Sequence, residues 1–252
     1  MSTLLELRTL VRLAPHVTAT LIPDANLNTL LGKAQIALGV DGRAMPKNEK
    51  IDVVANQAEY VLSGASSVLT DNDFLAIDLR GGGVLFSNGT SWFGPQEGFV
   101  PKSKEWLDLN RPGWRTEGSA ATPLYFYIDT GVETSNLVVG LFNKPSTTRT
   151  DGLWINYLGR GILPSADAHY PFTGSATQLR HLEMYDPLFV YYALEWINRL
   201  ILSNPEEANL YKELYTVGAV AMANRLPLEE HLLKEGFAAP SYFASMGGRR
   251  RY

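Results

Sequence analysis

The amino-acid sequence predicts a mixed α+β protein: a helical bundle built from the N- and C-terminal segments, an inserted β-sandwich or barrel-like domain, and a C-terminal docking tail. Near both ends of the chain, apolar residues recur at three- and four-residue spacing, which is typical of amphipathic helices. Between them, short β-branched and aromatic runs alternate with glycine, asparagine, aspartate and proline, as in short strands with close turns.

We expect three parts in this chain of 252 residues. Residues 1–45 and 183–235 form the helical bundle domain, residues 46–182 form the inserted β domain, and residues 236–252 form an extended C-terminal tail. Chain ends that pack together around an inserted middle are a common domain plan.

Composition excludes several classes of protein. Without cysteine, the chain has no disulfide frame, no thiolate zinc site and no cysteine nucleophile. A net charge of -4 argues against a broadly basic nucleic-acid binder, although Arg249–Arg251 is a local basic patch. No stretch approaches the roughly 18 apolar residues of a membrane span, and Met1–Glu6 lacks the pattern of a signal peptide.

Two helices are predicted near the start of the chain. Thr3–Glu6 is a capping box, in which the first and last side chains each bond the other's backbone N–H. A second helix opens at Pro23–Asp24, exposes Gln35 to water and ends near Gly39. The apolar face of this second helix is predicted to carry Leu27, Leu30, Leu31, Ala34 and Leu38.

The middle of the chain predicts six or seven short strands. They lie in the runs 59–62, 74–79, 84–86, 91–93, 124–128, 137–142 and 153–158. Asn88–Gly89, between two of these runs, is a strong hairpin signal. Gly81–Gly83 precedes a strand rather than a helix, so it is not expected to cradle a phosphate.

Two further helices are predicted after residue 185, with a short third helix over Leu228–Lys234. Asp186 is expected to cap the first, and Asn204 the second. The first apolar stripe comprises Phe189, Tyr192, Ala193, Trp196, Ile197, Leu200 and Ile201, and the second comprises Leu210, Tyr211, Leu214, Tyr215, Gly218, Ala221 and Met222. Neither stripe can bury the other completely, so another part of the chain or a neighbouring copy must cover the remainder.

We expect ring or bundle packing from a set of large apolar side chains on these helices. The set is Leu27, Leu31, Phe189, Tyr192, Trp196, Leu200, Tyr211 and Tyr215. No catalytic, cofactor-binding or metal-ligating residues are expected. The four histidines are scattered, and Asp71–Asp73 lacks the glycine and the final carboxylate of a calcium loop, so it is interpreted as a polar turn.

The layout resembles that of head–tail connector adaptors of tailed bacteriophages, the ring proteins beneath the portal. The segments that carry the resemblance are Leu4–Arg12, Asp24–Gln35, Glu59–Leu62, Thr122–Tyr127, Leu137–Pro145, Leu153–Leu158 and Tyr185–Ala193. The match covers most of the chain as a layout, although each motif alone is weakly specific.

The resemblance implies a homo-oligomeric ring without catalysis, a dodecamer matching the portal, located in the virion neck after synthesis in the host cytoplasm. Its partners would be the portal protein, tail or stopper and tail-tube proteins, and double-stranded DNA contacted non-specifically at most, with no membrane. The tail residues expected to dock onto the portal, or with their arginines to face DNA, are Phe237, Tyr242, Phe243, Arg249, Arg250, Arg251 and Tyr252.

Several alternatives stay open. The chain is also compatible with a neighbouring stopper or tail-completion protein. A glycan- or receptor-binding module could use Trp92, Trp114 or Trp154, and a wall-degrading hydrolase could use acids such as Glu97 or Asp108. A structural role would be contradicted if the apolar stripes were fully hidden in the single chain, or if a cleft with converging ionisable side chains lay in the strand-rich part.

Overall fold

A computed structural model describes residues 1–71, 73–130 and 136–234, with side chains described as far as Arg225, that of Thr130 excepted. Over these residues the chain is mixed α+β, with five α-helices and two β-sheets. The predicted α+β class is therefore confirmed. Neither sheet formed by the described strands closes into a barrel, because each keeps two edge strands.

The five helices are α1 (Leu4–Arg12), α2 (Asp24–Asp41), α3 (Lys104–Asn110), α4 (Asp186–Leu200) and α5 (Pro205–Lys234). The capping box at the start of α1 is confirmed. Thr3 Oγ1 accepts the backbone N–H of Glu6 at 3.3 Å, and Glu6 Oε2 accepts that of Thr3 at 2.7 Å. Among the described helices, none combines the length and the apolar content needed to cross a membrane.

The predicted end of α2 and the predicted exposure of Gln35 are wrong. The helix continues past Gly39 to Asp41, and Gly39 lies where a Cβ atom would come within 2.8 Å of Leu75 Cδ1. Glycine is therefore used here for close packing of helix on sheet. Gln35 is fully buried, and its Nε2 donates to the carbonyl oxygens of Arg160 at 2.9 Å and Ile162 at 3.2 Å.

Two predictions about the last helices are also wrong. Asp186 is already inside α4 and makes no capping bond, because Tyr185 occupies the N-cap position and the Asp186 carboxylate accepts hydrogen bonds from Ser2 instead. The expected separate helix over Leu228–Lys234 is the end of α5, which continues through Pro227. Asn204 does cap α5, since its Oδ1 accepts the backbone N–H of Glu207 at 3.3 Å.

The first sheet is entirely antiparallel, with the order β1, β9, β4, β5 and with β3 also paired to β9. Its strands are β1 (Pro46–Val53), β3 (Phe74–Ile77), β4 (Val84–Ser87), β5 (Trp92–Phe93) and β9 (Arg149–Gly159). The second sheet has the order β2, β8, β7, β6, and only β6 and β7 run parallel. Its strands are β2 (Glu59–Val61), β6 (Val100–Pro101), β7 (Tyr125–Thr130) and β8 (Leu137–Phe142).

The hairpin predicted at Asn88–Gly89 is confirmed between β4 and β5. Phe86 pairs with Phe93 across the two strands. In the turn, Asn88 Oδ1 accepts the backbone N–H groups of Thr90 and Ser91, each at 2.9 Å, and Gly89 has a φ of 97°. The left-handed backbone explains the glycine.

Buried side chains form separate cores. The helical core joins α1, α2, α4 and α5 with the segment 160–185, for example through Phe172 and Leu182. The second core draws on both sheets, including Phe126 of β7, Leu141 of β8 and Ile155 of β9. A third, smaller core lies on the other side of β7 and β8 and consists of Leu107, Trp114, Tyr127 and Phe142, with Trp106 and Tyr125 packed against it.

The segment 160–185 ties the strands to the helices. Its carbonyl groups at Asp167 and His169 accept the first backbone N–H groups of α1, and Arg8 forms an ion pair with the Asp167 carboxylate. Together with the two hydrogen bonds from Gln35, these contacts fix the segment across α1 and α2. The division into a helical domain and an inserted β domain stays a prediction.

Candidate functional site

The α5 helix has two apolar faces, and only one of them lies in the helical core. Tyr215, Ala219 and Met222 are buried on the inner face. The Tyr215 hydroxyl donates to Asp41 Oδ2 at 3.0 Å, and its ring packs edge-on against Tyr192. These contacts fix the rotation of α5 about its own axis.

The opposite face of α5 is exposed and also apolar. It carries Leu210, Leu214, Val217 and Ala221, a set that we call the α5 stripe. At 3.6 residues per turn these four side chains fall within about 60° of the helix circumference. Leu210, Leu214 and Val217 are 53%, 41% and 71% exposed. Single exposed leucines are ordinary on a protein surface, but a continuous apolar stripe indicates a contact surface.

The predicted packing residues divide into three groups. Leu27, Leu31, Phe189 and Tyr215 are buried in the helical core. Tyr192, Trp196 and Tyr211 are half-buried, and Leu200 is 66% exposed. None of this tests a role in ring formation, which stays a prediction.

The predicted docking tail lies outside the described residues. This applies to all seven of its named positions: Phe237, Tyr242, Phe243, Arg249, Arg250, Arg251 and Tyr252. Its expected contact with a portal or with DNA therefore stays a prediction.

A cleft of about 420 Å³ opens on the side of β7 and β8 that carries the third core. We call it the charged cleft. It is lined by Ala58, Glu59, Lys104, Trp114, Arg115, Tyr127, Asp129, Leu141, Phe142 and Lys144. Its volume is in the range of small-molecule sites.

Four ionisable side chains converge in the charged cleft and form one network. Lys104 Nζ lies 2.9 Å from Asp129 Oδ2 and 3.2 Å from Glu59 Oε1. The Tyr127 hydroxyl donates to Glu59 Oε1 at 2.9 Å. Three different elements supply these groups, namely β2, α3 and β7.

Burial and the pairing within this network shift the pKa values of Lys104 and Tyr127. Burial lowers the pKa of Lys104, but the hydrogen bonds and charges of Asp129 and Glu59 outweigh it, so the net shift is upward. Burial and the hydrogen bond to Glu59 both raise the pKa of Tyr127. At neutral pH the lysine is therefore protonated and the tyrosine neutral, and neither can act as a nucleophile or general base.

The alternation of residues along β7 indicates part of this cleft, although the sequence analysis did not predict it. Tyr127 and Asp129 alternate along β7 and so point to the same side of the sheet. Gly140 faces Tyr127 on the neighbouring strand and leaves room for its ring. Nothing in the sequence indicated that Lys104, on a helix that was not predicted, would complete the network.

Glu97 and Asp108, the two acids named for a hydrolase, are both engaged by neighbouring groups of the protein. Glu97 Oε2 accepts the backbone N–H of Gly94 at 2.8 Å. Asp108 accepts the indole N–H of Trp114 at 2.8 Å and pairs with Arg115. The hydrogen bonds from Arg115 and Trp114 lower the pKa of Asp108, which therefore stays ionised and is a poor general acid.

The three tryptophans named for glycan binding are not together. Trp114 is buried in the third core. Trp92 and Trp154 meet edge-on on the first sheet, with ring centroids 5.6 Å apart. Lys50 Nζ lies over both rings, at 5.6 Å and 5.2 Å from their centroids.

The described residues contain no group of three or more histidine, aspartate or glutamate side chains placed to hold a metal ion. At the Asp71–Asp73 turn, Lys47 Nζ lies 2.7 Å from a carboxylate oxygen of each aspartate. One ammonium group thus bridges both carboxylates and offsets one of their two negative charges, in agreement with a polar turn.

Comparison with known proteins adds no family. No family model matches the chain, and no curated protein matches it. Its function is therefore inferred from its own surfaces.

Proposed function

We propose that this chain is the structural adaptor subunit of a tailed-phage neck, a ring that docks onto the portal and joins head to tail around the DNA channel. In this proposal the helices form a bundle, the two sheets form a sandwich beside it, and the protein is not an enzyme. The subunit is made in the host cytoplasm and resides in the virion neck, as a dodecamer between the portal and the tail or stopper proteins.

The observation that carries this proposal is the α5 stripe. Fully burying an exposed Leu or Val side chain contributes about 1.5–3 kcal/mol. Because Leu210, Leu214 and Val217 are only 53%, 41% and 71% exposed, burying their remaining surface together offers about 2–5 kcal/mol before the costs of association. In a closed ring, each subunit repeats the same contact with its neighbour, and the stripe is buried in every copy. A net charge of -4 agrees with DNA that passes through without being held.

The charged cleft meets the condition stated above for contradicting a structural role, because converging ionisable side chains are common in catalytic sites. Its groups are paired with one another, however, and the raised pKa values of Lys104 and Tyr127 disfavour the deprotonated forms that a nucleophile or general base requires. We therefore assign the network a structural role. It holds α3 against β2 and β7.

The test is assembly with and without the portal. Native mass spectrometry and negative-stain imaging are expected to find single subunits alone and rings on the portal. Val217→Glu should abolish ring formation, because it places a charge in the stripe. Thr216→Glu is the matched control, since Thr216 is exposed on the same helix but points about 100° away from Val217. Normal rings from the Val217 variant would refute the stripe as the subunit contact.

The same images separate an adaptor from a stopper or tail-completion protein. An adaptor binds the portal directly, whereas a stopper binds only when another ring is already present. Binding to an isolated portal is therefore the deciding observation.

A glycan- or receptor-binding role is the second candidate, and one observation favours it. Trp92 and Trp154 are half-buried neighbours whose rings meet edge-on on the first sheet. Partly exposed aromatic rings suit stacking against a sugar ring. A glycan array and tryptophan fluorescence test this, and an adaptor is expected to give no signal in either.

A further inference from the structure

The α5 stripe has an acidic border. Glu206 and Glu213 are exposed and lie about 40° and 60° to one side of Leu210 around the helix. Within the part of the chain that the structure describes, neither carboxylate has an ion-pair partner. A surface that fits the stripe must therefore combine apolar side chains with a positive charge.

A second exposed apolar surface lies on α3 and at the start of β7. We call it the α3 patch, and it consists of Lys102, Trp106, Leu109 and Tyr125. Leu109 is 81% exposed, the highest value for a large apolar side chain among the described residues. Trp106 and Tyr125 are half-buried, and their rings meet edge-on with centroids 5.4 Å apart. Tryptophan and tyrosine are enriched at the centres of protein–protein interfaces.

The α3 patch has one positive and one negative end. Lys102 Nζ lies 4.4 Å from the ring centroid of Trp106 and 5.9 Å from that of Tyr125. No carboxylate of the described residues pairs with this ammonium group. At the other end, the exposed Glu105 lies about 100° around α3 from Trp106, beyond Leu109 at about 60°.

We infer that the α3 patch of one subunit receives the α5 stripe of its neighbour. This inference rests on the proposed function and names the second half of its subunit contact. Leu109 contacts Leu214 and Val217 of the neighbouring copy, and Lys102 approaches Glu213. Repulsion between like charges keeps the negative end of the patch away from the acidic border, which sets the orientation of the two surfaces.

The stripe and the patch lie on different parts of the molecule. The inner face of α5 packs in the helical core, whereas α3 packs in the third core. A contact between two different surfaces is head-to-tail, and its repetition from copy to copy closes a ring if the rotation permits.

A contact between the stripes of two copies is disfavoured by charge. In an antiparallel pair of α5 helices, the same border of both helices meets, so that Glu213 of one copy faces Glu213 of the other. Like charges placed opposite each other suppress such a pairing, which would also stop at a dimer. The α3 patch offers a positive charge at the same border.

Disulfide trapping in the full-length chain tests the contact, because the chain has no cysteine. Leu109→Cys combined with Val217→Cys should link neighbouring chains into a ladder of dimers, trimers and larger species, both in concentrated free protein and on the portal. Leu109→Cys combined with Thr216→Cys is the control, because Thr216 is exposed but points about 100° away from Val217. We expect the first pair to link about tenfold faster, since the contact holds its two sulfur atoms within bonding reach.

Non-reducing gels and mass spectrometry of the linked peptides compare the two double variants and each single variant. Equal rates for the two double variants would overturn the inference. So would dimers that form from Val217→Cys alone as fast as from the first pair, because the stripe would then bind its own copy.

The two arms separate this contact from the adaptor function. Links in concentrated free protein without rings on the portal would leave the contact intact and remove the adaptor function. Rings on the portal without links between positions 109 and 217 would remove this contact alone. Absence of both rings and links would remove both.

Discussion

Ser2 donates two hydrogen bonds to one carboxylate oxygen of Asp186, from its backbone nitrogen at 2.6 Å and from its hydroxyl at 2.8 Å. The two residues are 184 positions apart. This contact attaches the residue before the α1 capping box to the first turn of α4. Because the carboxylate is largely buried, its charge state also affects the stability of this junction.

Asp186 gives the first prediction. Burial raises its pKa, against the lowering effect of the Ser2 bonds, so the folded protein holds this proton to a higher pH than the unfolded chain does. The resulting stabilisation is present below the ordinary value of about 4 and is lost as pH rises through the raised pKa. Asp186→Asn keeps an acceptor for Ser2 without a charge. Wild type loses this stabilisation between pH 4 and pH 7, whereas the Asn variant has no such group to titrate. The free energy of unfolding of the variant minus that of wild type should therefore become larger from pH 4 to pH 7.

The control for this prediction is Asp186→Ala, which removes the acceptor altogether. It should lower the free energy of unfolding by about 1–3 kcal/mol at pH 7. Urea unfolding at both pH values measures each variant. A constant difference between Asn variant and wild type would show that this carboxyl does not titrate differently on folding.

Gly140 gives the second prediction. A Cβ atom at this position would lie 2.0 Å from Cζ of Tyr127. Gly140→Ala should therefore lower the free energy of unfolding by about 1–3 kcal/mol through overpacking. Gly118→Ala is the matched control, because a Cβ atom at Gly118 meets no other atom within 4 Å. Equal stability of the two variants in urea would contradict the packing of Tyr127 over β8.

Gln35 gives the third prediction. Gln35→Leu removes two part-buried hydrogen bonds and leaves the carbonyl groups of Arg160 and Ile162 without this donor. A loss of stability of about 1–3 kcal/mol is expected, since each such hydrogen bond contributes about 0.5–1.5 kcal/mol. Gln57→Leu, at an exposed glutamine, should change stability by about 0.5 kcal/mol or less. Thermal unfolding compares the two, and a tolerated Gln35→Leu would rule out its role in holding the segment 160–185.

Lys104 gives the fourth prediction. Lys104→Met leaves Glu59 and Asp129 without their shared cation, which should cost about 1–3 kcal/mol at pH 7. The pKa of Lys104 is raised in the folded state. The stabilisation that the protonated lysine gives to the fold is therefore complete below about pH 10, and it is lost as the pH rises through the raised pKa. The difference between variant and wild type should therefore shrink above pH 10. Lys212→Met, at an exposed lysine on α5, is the control and should change stability at pH 7 by about 0.5 kcal/mol or less.

Local signals predicted local structure well. The capping box at Thr3–Glu6 and the hairpin turn at Asn88–Gly89 both depend on groups within three residues of each other. Strand β1 was not predicted at all, because its polar run Lys47–Lys50 has no apolar pattern. It is a strand since it pairs with β9, with Pro46 opposite Leu158.

By itself, the sequence determined the α+β class, the placement of helices at both ends of the chain with strands between them, and the presence of excess apolar surface on the last helices, but not β1, β6 or α3. It placed Leu210 and Tyr211 on one stripe, because helical spacing says which residues are neighbours but not which direction faces a core. Only the tertiary structure decided that Tyr215 turns inward to Asp41 while Leu214 and Val217 face outward. The same holds for the charged cleft, whose groups come from β2, α3 and β7 and meet only when long-range packing brings these elements together.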